Sequence, residues 1–144
     1  MNSGTIMAFD YGSKRIGVAI GQQLTATTRP LDTVAVRQNK PDWDHIGRLL
    51  KEWQPDLLLI GLPLAEDGSE QEMSIAARRF ANRLNGRYQL PVELVDERFS
   101  SIEAEEIVVA ARRSGKLKKS KLKQAVDQVA AALIIQSWFD EPET

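Results

Sequence analysis

Three short apolar stretches separated by turn residues occupy the first quarter of the chain, a pattern typical of β-strands. They cover residues 5–10, 16–21 and 26–36, and the third is rich in β-branched residues. Pro30 lies in this third stretch and cannot donate a backbone hydrogen bond, which predicts an edge strand or a bulge. Three successive strands joined by short connections predict an antiparallel meander at the start of the fold.

Helical and strand patterns alternate along the rest of the chain. Ile46, Leu49, Leu50 and Trp53 recur at helical spacing, which predicts a helix over residues 43–53 after a chain break at residues 39–42. Further strands are predicted over residues 57–61 and 92–95, and further helices over residues 71–84, 100–113 and 121–139. The order βββ-α-β-α-β-α-α predicts an α/β fold with a mixed five-stranded sheet flanked by helices. We expect one domain over residues 1–144, with a frayed tail at about 140–144.

The composition removes several classes of chemistry. The chain has 144 residues and no cysteine, so disulfides, thiolate nucleophiles and cysteine zinc sites are excluded. His45 is the single histidine, which excludes a multi-histidine zinc site and argues against a histidine-based triad. Any metal must therefore be bound by oxygen ligands, which suit Mg²⁺ or Mn²⁺.

The chain start and the charge balance bear on location and partners. The first residues, MNSGTIMAFDYG, lack a basic segment followed by a long apolar stretch, so no signal peptide is expected. No uninterrupted apolar stretch approaches the length of a membrane span, and we expect a cytoplasmic protein with no membrane partner. The net charge of −1 argues against indiscriminate binding of nucleic acid.

Three acidic residues stand in apolar surroundings. Asp10 closes the first strand, Glu97 follows the strand VELV, and Asp127 lies inside the apolar helix segment QAVDQVAAALII. Burying an unpaired carboxylate costs several kcal/mol, so each needs a cation or a hydrogen-bond partner. If the three converge at one end of the sheet, a divalent metal would be their common partner, as in two-metal phosphodiester hydrolases.

Each acid also has an ordinary structural interpretation. Asp10 can cap a turn, Glu97 can pair with Arg98, and Asp127 can occupy a solvated gap in its helix. That interpretation is reasonable for any one acid and weaker for all three together. Spacing alone does not show that they converge.

Four ordered motifs resemble the signature stretches of the YqgF family, also called RuvX. They are DYGSKRIGVAIG, GLPLAEDGSEQ, DERFSSIEAE and VDQVAAALIIQSWF, and the resemblance covers nearly the whole chain. It implies a ribonuclease-H-like fold and Mg²⁺- or Mn²⁺-dependent hydrolysis of phosphodiester bonds, leaving a 3′-hydroxyl and a 5′-phosphate. It also implies that the acids Asp10, Glu97 and Asp127 are the catalytic metal ligands. Either acid of DER can reach the metal, so Asp96 is an alternative to Glu97.

The resemblance leaves the substrate open. Its leading implication is maturation of the 5′ end of precursor 16S ribosomal RNA, with ribosomal particles as further partners. Cleavage of four-way DNA junctions and a non-catalytic role as a ribosome- or transcription-associated binding module are the alternatives. A phosphate-binding hairpin of actin-like ATPases also starts with an Asp-x-Gly turn. Those enzymes need two such domains around the nucleotide, and this chain is too short for two. No Walker A motif is present either.

Basic residues supply a candidate nucleic-acid interface. Residues 112–123 carry seven basic residues and no acid just before the helix of Asp127, and such a segment attracts a phosphate backbone. A solvated charge run is the ordinary alternative. We expect recognition by shape rather than by sequence, and a monomer or weak homodimer. The predicted nucleic-acid-binding residues are Lys14, Arg15, Arg98, Lys118, Lys119, Lys121 and Lys123.

Overall fold

The computed structural model describes residues 4–65, 67–97, 100–115 and 122–140 and contains a six-stranded mixed sheet. The strands are β1 (Thr5–Tyr11), β2 (Arg15–Gln22), β3 (Thr27–Arg37), β4 (Lys40–Pro41), β5 (Leu57–Leu62) and β6 (Val92–Asp96). Their spatial order is β4-β3-β2-β1-β5-β6. The first four strands pair antiparallel, as the predicted meander requires, whereas β1, β5 and β6 run parallel.

The predicted count of five strands is wrong because Lys40 and Pro41, inside the predicted chain break, form the short strand β4. Its two residues are too few to show alternation, and Pro41 suggests a break. Gln38 and Asn39, with φ of 52° and 62°, form the tight turn that folds β4 back onto the end of β3. Pro30 was placed correctly, since the β2–β3 register shifts between the pairs Val18–Asp32 and Ala19–Pro30.

Four helices follow the predicted order. They are α1 (Trp43–Trp53), α2 (Glu72–Tyr88), α3 (Ser100–Arg113) and α4 (Leu122–Asp140). Asp42 caps α1 by accepting a hydrogen bond from the backbone N–H of His45. Helix α2 extends four residues past its predicted end and stops where Gln89 adopts φ of 56°. None of the described helices is long and apolar enough to cross a membrane.

The sheet buries a different set of side chains on each face. Met7 and Phe9 of β1 pack into the core that includes residues of α1 and α2, whereas Ile6 and Ala8 pack into the core of α4. Successive residues of a strand point to opposite faces. The same alternation therefore directs Asp10 towards α4 and Tyr11 towards α2, and this divides the two surfaces described below.

Candidate active site

Asp10 and Glu97 meet at the edge of the sheet where the parallel strands end. Asp10 is the penultimate residue of β1, and Glu97 directly follows β6, with its backbone N–H donating to the carbonyl of Leu62. The two carboxyl groups are hydrogen-bonded to each other, and Glu97 is only 8% exposed. Gly61 of β5 makes room for this pair, because a Cβ there would lie 2.5 Å from the Glu97 carboxyl group.

Burial controls the protonation of this pair. Burial raises the pKa of Asp10 to about 6, offset in part by the hydrogen bond from Glu97 and reinforced by the charge of Asp127. Burial also raises the pKa of Glu97 to about 10, with further contributions from the charge and hydrogen bond of Asp10 and from Asp96. Near neutral pH, Glu97 therefore stays protonated, and its O–H group donates a hydrogen bond to the Asp10 carboxylate. The pair carries one negative charge rather than two.

Asp127 reaches the same end of the sheet from α4. Gly17 pairs with Asp10 across β1 and β2, and a Cβ on Gly17 would collide with the backbone carbonyl of Asp127. Helix α4 thus rests directly on the backbone of β2 beside Asp10. Close approach of two backbones of this kind requires glycine. The glycine fixes where Asp127 enters the site.

Arg15 holds the Asp127 side chain. Its Nε lies 2.5 Å from Oδ2 of Asp127, and the two side chains are 32% and 22% exposed. Burial raises the pKa of Asp127, while the hydrogen bond and charge of Arg15 oppose that rise. Asp127 is close enough to raise the pKa of Asp10 by its charge. The three acids therefore occupy one region. Asp10 and Glu97 share a proton, and Asp127 is paired with the guanidinium of Arg15.

This arrangement differs from a ready three-carboxylate ligand set. Within the described ranges, no group of three or more Asp, Glu, His or Cys side chains is placed to hold a metal ion. Asp10 is instead hydrogen-bonded to Glu97, and Asp127 is paired with Arg15. Residues 112 positions apart form the Arg15–Asp127 pair, so no local sequence signal could have revealed it.

The predicted nucleic-acid-binding residues have different positions. Arg15 is in the ion pair just described, Lys14 is exposed on the turn between β1 and β2, and Lys123 is exposed in the first turn of α4. Arg98, Lys118, Lys119 and Lys121 lie outside the described residues.

Comparison with known proteins assigns the chain to a family over nearly its whole length. The family model described as "RuvX: Holliday junction resolvase" matches residues 4–141. A protein of Aeromonas salmonicida named "Putative pre-16S rRNA nuclease" is 50% identical over 141 residues, which are 98% of each chain. Proteins with the same name from Glaesserella parasuis and Escherichia coli O7:K1 are 46% and 47% identical, and each match covers 96% of this chain and 98% of the relative.

Solved structures confirm the predicted ribonuclease-H-like fold class. The Fowlpox virus resolvase in complex with Holliday junction DNA has a TM-score of 0.59 at 15% identity and covers 95% of this chain and 99% of its own. Thermus thermophilus RuvC in complex with a Holliday junction substrate has a TM-score of 0.53 at 16% identity, with coverages of 94% and 92%. These likenesses concern the fold, and the sequence matches identify the closer group. The chain belongs to the RuvX family.

Proposed function

We propose that this chain is a cytoplasmic nuclease that hydrolyses phosphodiester bonds of precursor 16S ribosomal RNA with the help of Mg²⁺ or Mn²⁺. The observation that carries the proposal is the hydrogen-bonded pair of Asp10 and buried Glu97, with Asp127 beside it, at the carboxyl edge of three parallel strands. The names of relatives at 46–50% identity support the choice of substrate. The whole of residues 1–144 would act as one nuclease domain.

The donor set fits a hard divalent cation. Asp10 and Glu97 offer carboxylate oxygens, and a cation that they bound would take the place of the proton that they share. Asp127 is the third candidate ligand and is freed when Arg15 turns to another anion. Glu97 fits a ligand role better than Asp96, because Glu97 is buried against Asp10 whereas Asp96 is exposed. When bound, the cation would supply an activated water and stabilise the departing oxygen.

The chain's own residues prepare the site for a phosphodiester. Asp10 is held as a carboxylate by the hydrogen bond from protonated Glu97; Glu97 is buried, and Asp10 is partly buried. Arg15 is partly exposed and already within hydrogen-bonding distance of one anion, so it can exchange Asp127 for a substrate phosphate. Lys14 is exposed on the turn that follows Asp10 and can bind a neighbouring phosphate.

A cleavage assay on two substrates tests the proposal. Purified protein is incubated with precursor 16S RNA and with a four-way DNA junction, each with EDTA, Mg²⁺, Mn²⁺ or Ca²⁺. We expect RNA cleavage with Mg²⁺ or Mn²⁺ that leaves a 5′-phosphate, no cleavage in EDTA, and little with Ca²⁺, whose irregular coordination supports the two-metal transition state poorly. Full activity in excess EDTA would contradict the metal requirement. Inactivity on RNA in every condition would contradict precursor RNA as the substrate, and inactivity on both substrates would contradict nuclease activity.

Junction cleavage is the second candidate function. It is favoured by the description of the matching family model as a Holliday junction resolvase. Metal-dependent cutting of the junction together with inactivity on precursor RNA would establish it instead. We propose a monomer or weak homodimer, and light scattering over a concentration series during the same assays would test that state. Binding of RNA or of ribosomal particles with no cleavage of either substrate would favour the non-catalytic module.

A further inference from the structure

A groove opens at the carboxyl edge of the sheet on the face opposite α4. The β1–β2 turn, the β3–β4 hairpin and the first half of α2 line it, and its volume is about 670 Å³. Tyr11, the residue after Asp10, is one of its lining residues. Because Asp10 and Tyr11 are adjacent and point to opposite faces, the acid site and the groove are separated only by the thickness of the sheet edge.

The groove carries an excess of positive charge. Lys40, Arg79 and Arg83 line it and are exposed, and Glu72 is the one acid among its described lining residues. Arg79 and Arg83 are one helical turn apart, a rise of about 6 Å, so they form a row along α2. Neither has an ion-pair partner among the described residues. This row is therefore free to bind a phosphate backbone.

Arg78 shows that this availability is specific to the groove side of α2. It directly precedes Arg79, lies outside the groove lining, and pairs with Glu70 at 2.6 Å. The next arginine of the row, Arg87, lies over the ring of Trp43, with its guanidinium carbon 4.1 Å from the ring centroid.

The groove lining also includes apolar and aromatic side chains. Tyr11 is half-buried and its ring packs at a tilt against Phe80, with the ring centroids 4.9 Å apart. Ile75, on the first turn of α2, is 57% exposed and lines the same groove. An aromatic ring and an aliphatic side chain beside a row of cations match an unpaired nucleotide, whose base has a flat apolar face and whose phosphate is anionic.

We propose that this groove binds the single-stranded RNA segment that flanks the scissile phosphate. The strand passes over the β1–β2 turn, places phosphates along Lys40, Arg79 and Arg83, and lays a base against Tyr11 and Ile75. A duplex cannot make the contact with Tyr11 and Ile75, because its bases are stacked on each other and are unavailable to a protein ring. The assignment of the bound segment to the flank of the scissile phosphate rests on the proposed nuclease function, whereas the binding itself does not require cleavage.

Direct binding tests the groove without relying on activity. Fluorescence anisotropy measures the affinity of wild-type protein for a labelled single-stranded oligoribonucleotide in EDTA at several salt concentrations. The variant Arg79→Ala/Arg83→Ala should bind about tenfold more weakly, and its log–log salt slope should fall by about 1.4, since each single-strand phosphate contact contributes about 0.7. Arg79→Lys/Arg83→Lys should restore most of the affinity. Ile75→Glu, at an exposed position, should weaken binding without loss of fold.

The matched control is Arg48→Ala/Arg78→Ala. Both residues are exposed, both lie on helices, and neither lines the groove. Because each double variant removes two arginines, the net charge of the protein changes equally in both. The control should bind like wild type. Equal weakening in the two alanine doubles, no binding by wild type, or unchanged binding by Arg79→Ala/Arg83→Ala would each overturn the proposal and leave the groove to another kind of partner.

Cleavage separates this inference from the proposed function. On precursor RNA with a single-stranded flank, Arg79→Ala/Arg83→Ala should raise KM with little change in kcat, because the contact is made equally in the ground and transition states. On RNA trimmed of that flank, the variant and wild type should agree. If no substrate is cleaved but the binding results hold, the nuclease proposal fails and the groove stands.

Discussion

Replacing Glu97 with glutamine should stabilise the metal-free protein near neutral pH while abolishing nuclease activity. Glu97 has an ordinary pKa of 4.5 and a pKa of about 10 in the folded protein. Between these values the folded state retains a proton that the unfolded chain has released. The ratio of folded to unfolded protein therefore falls about tenfold for each unit by which the pH rises. Stability from this source is complete below pH 4.5 and is lost as the pH rises towards 10.

The size of the effect follows from the same two values. At a working pH of about 7.5, three units above the unfolded value, the accumulated loss is on the order of 4 kcal/mol. Glutamine has the shape of the protonated acid and keeps a donor for Asp10, so it avoids this loss. For a chain of this size, we expect the variant to melt on the order of 10 °C higher than wild type in EDTA. The difference should shrink to near zero at pH 4.5.

Thermal unfolding across pH 4.5–8 measures this difference. Glu93→Gln is the matched control, because Glu93 lies exposed on β6 and its replacement should change stability by at most about 0.5 kcal/mol. Added Mn²⁺ should stabilise wild type more than Glu97→Gln, since the ion needs the carboxylate. If Glu97→Gln melts at or below wild type near neutral pH, or if the difference does not depend on pH, then Glu97 is not held protonated in the fold.

Three further predictions concern the third acid, the helix that carries it, and the basic segment of the sequence. Asp127→Asn should lower turnover by orders of magnitude in a folded protein, as circular dichroism and single-turnover cleavage would show; retention of most activity would place the third ligand elsewhere. Gly17→Ala should cost about 1–3 kcal/mol in urea unfolding, because its Cβ meets the backbone of Asp127, whereas Gly86→Ala on exposed α2 should be neutral or stabilising. A normal urea midpoint for Gly17→Ala would show that α4 can move aside. Replacing the four lysines of the basic segment with alanine should weaken RNA binding and flatten its salt dependence more than it changes kcat, and an unaltered slope in a filter-binding titration would contradict their phosphate contacts; they are Lys118, Lys119, Lys121 and Lys123.

Local pattern was sufficient to predict most of the elements of this fold. The meander, the buried strand β5 and all four helices were predicted from signals within single segments: apolar stretches bounded by turn residues for the strands, and helical spacing, helix-start residues or long apolar stretches for the helices. The two-residue strand β4 could not be predicted in this way, because its pairing depends on a left-handed turn at Gln38 and Asn39 rather than on hydrophobic pattern. The end of α2 was likewise set by backbone geometry at Gln89.

The candidate site was predictable only in part for a related reason. An acid in an apolar segment is a local signal, and it marked Asp10, Glu97 and Asp127. Which groups meet each acid depends on register and on helix placement, so the proton shared by Asp10 and Glu97 and the Arg15–Asp127 pair required the structure. The groove was missed because three separate elements contribute to it, and none shows an unusual pattern alone.

The seating of α4 on β2 has a consequence during protein synthesis. Every strand of the sheet leaves the ribosome before α4, and folding of a domain can begin during translation. A nascent chain that already contains β1 and β6 still lacks Asp127, and the face of the sheet that carries Ile6 and Ala8 stays uncovered until α4 arrives. The last helix therefore completes the hydrophobic core and the set of acids in one event. An unfinished chain on the ribosome therefore does not yet contain all three acids.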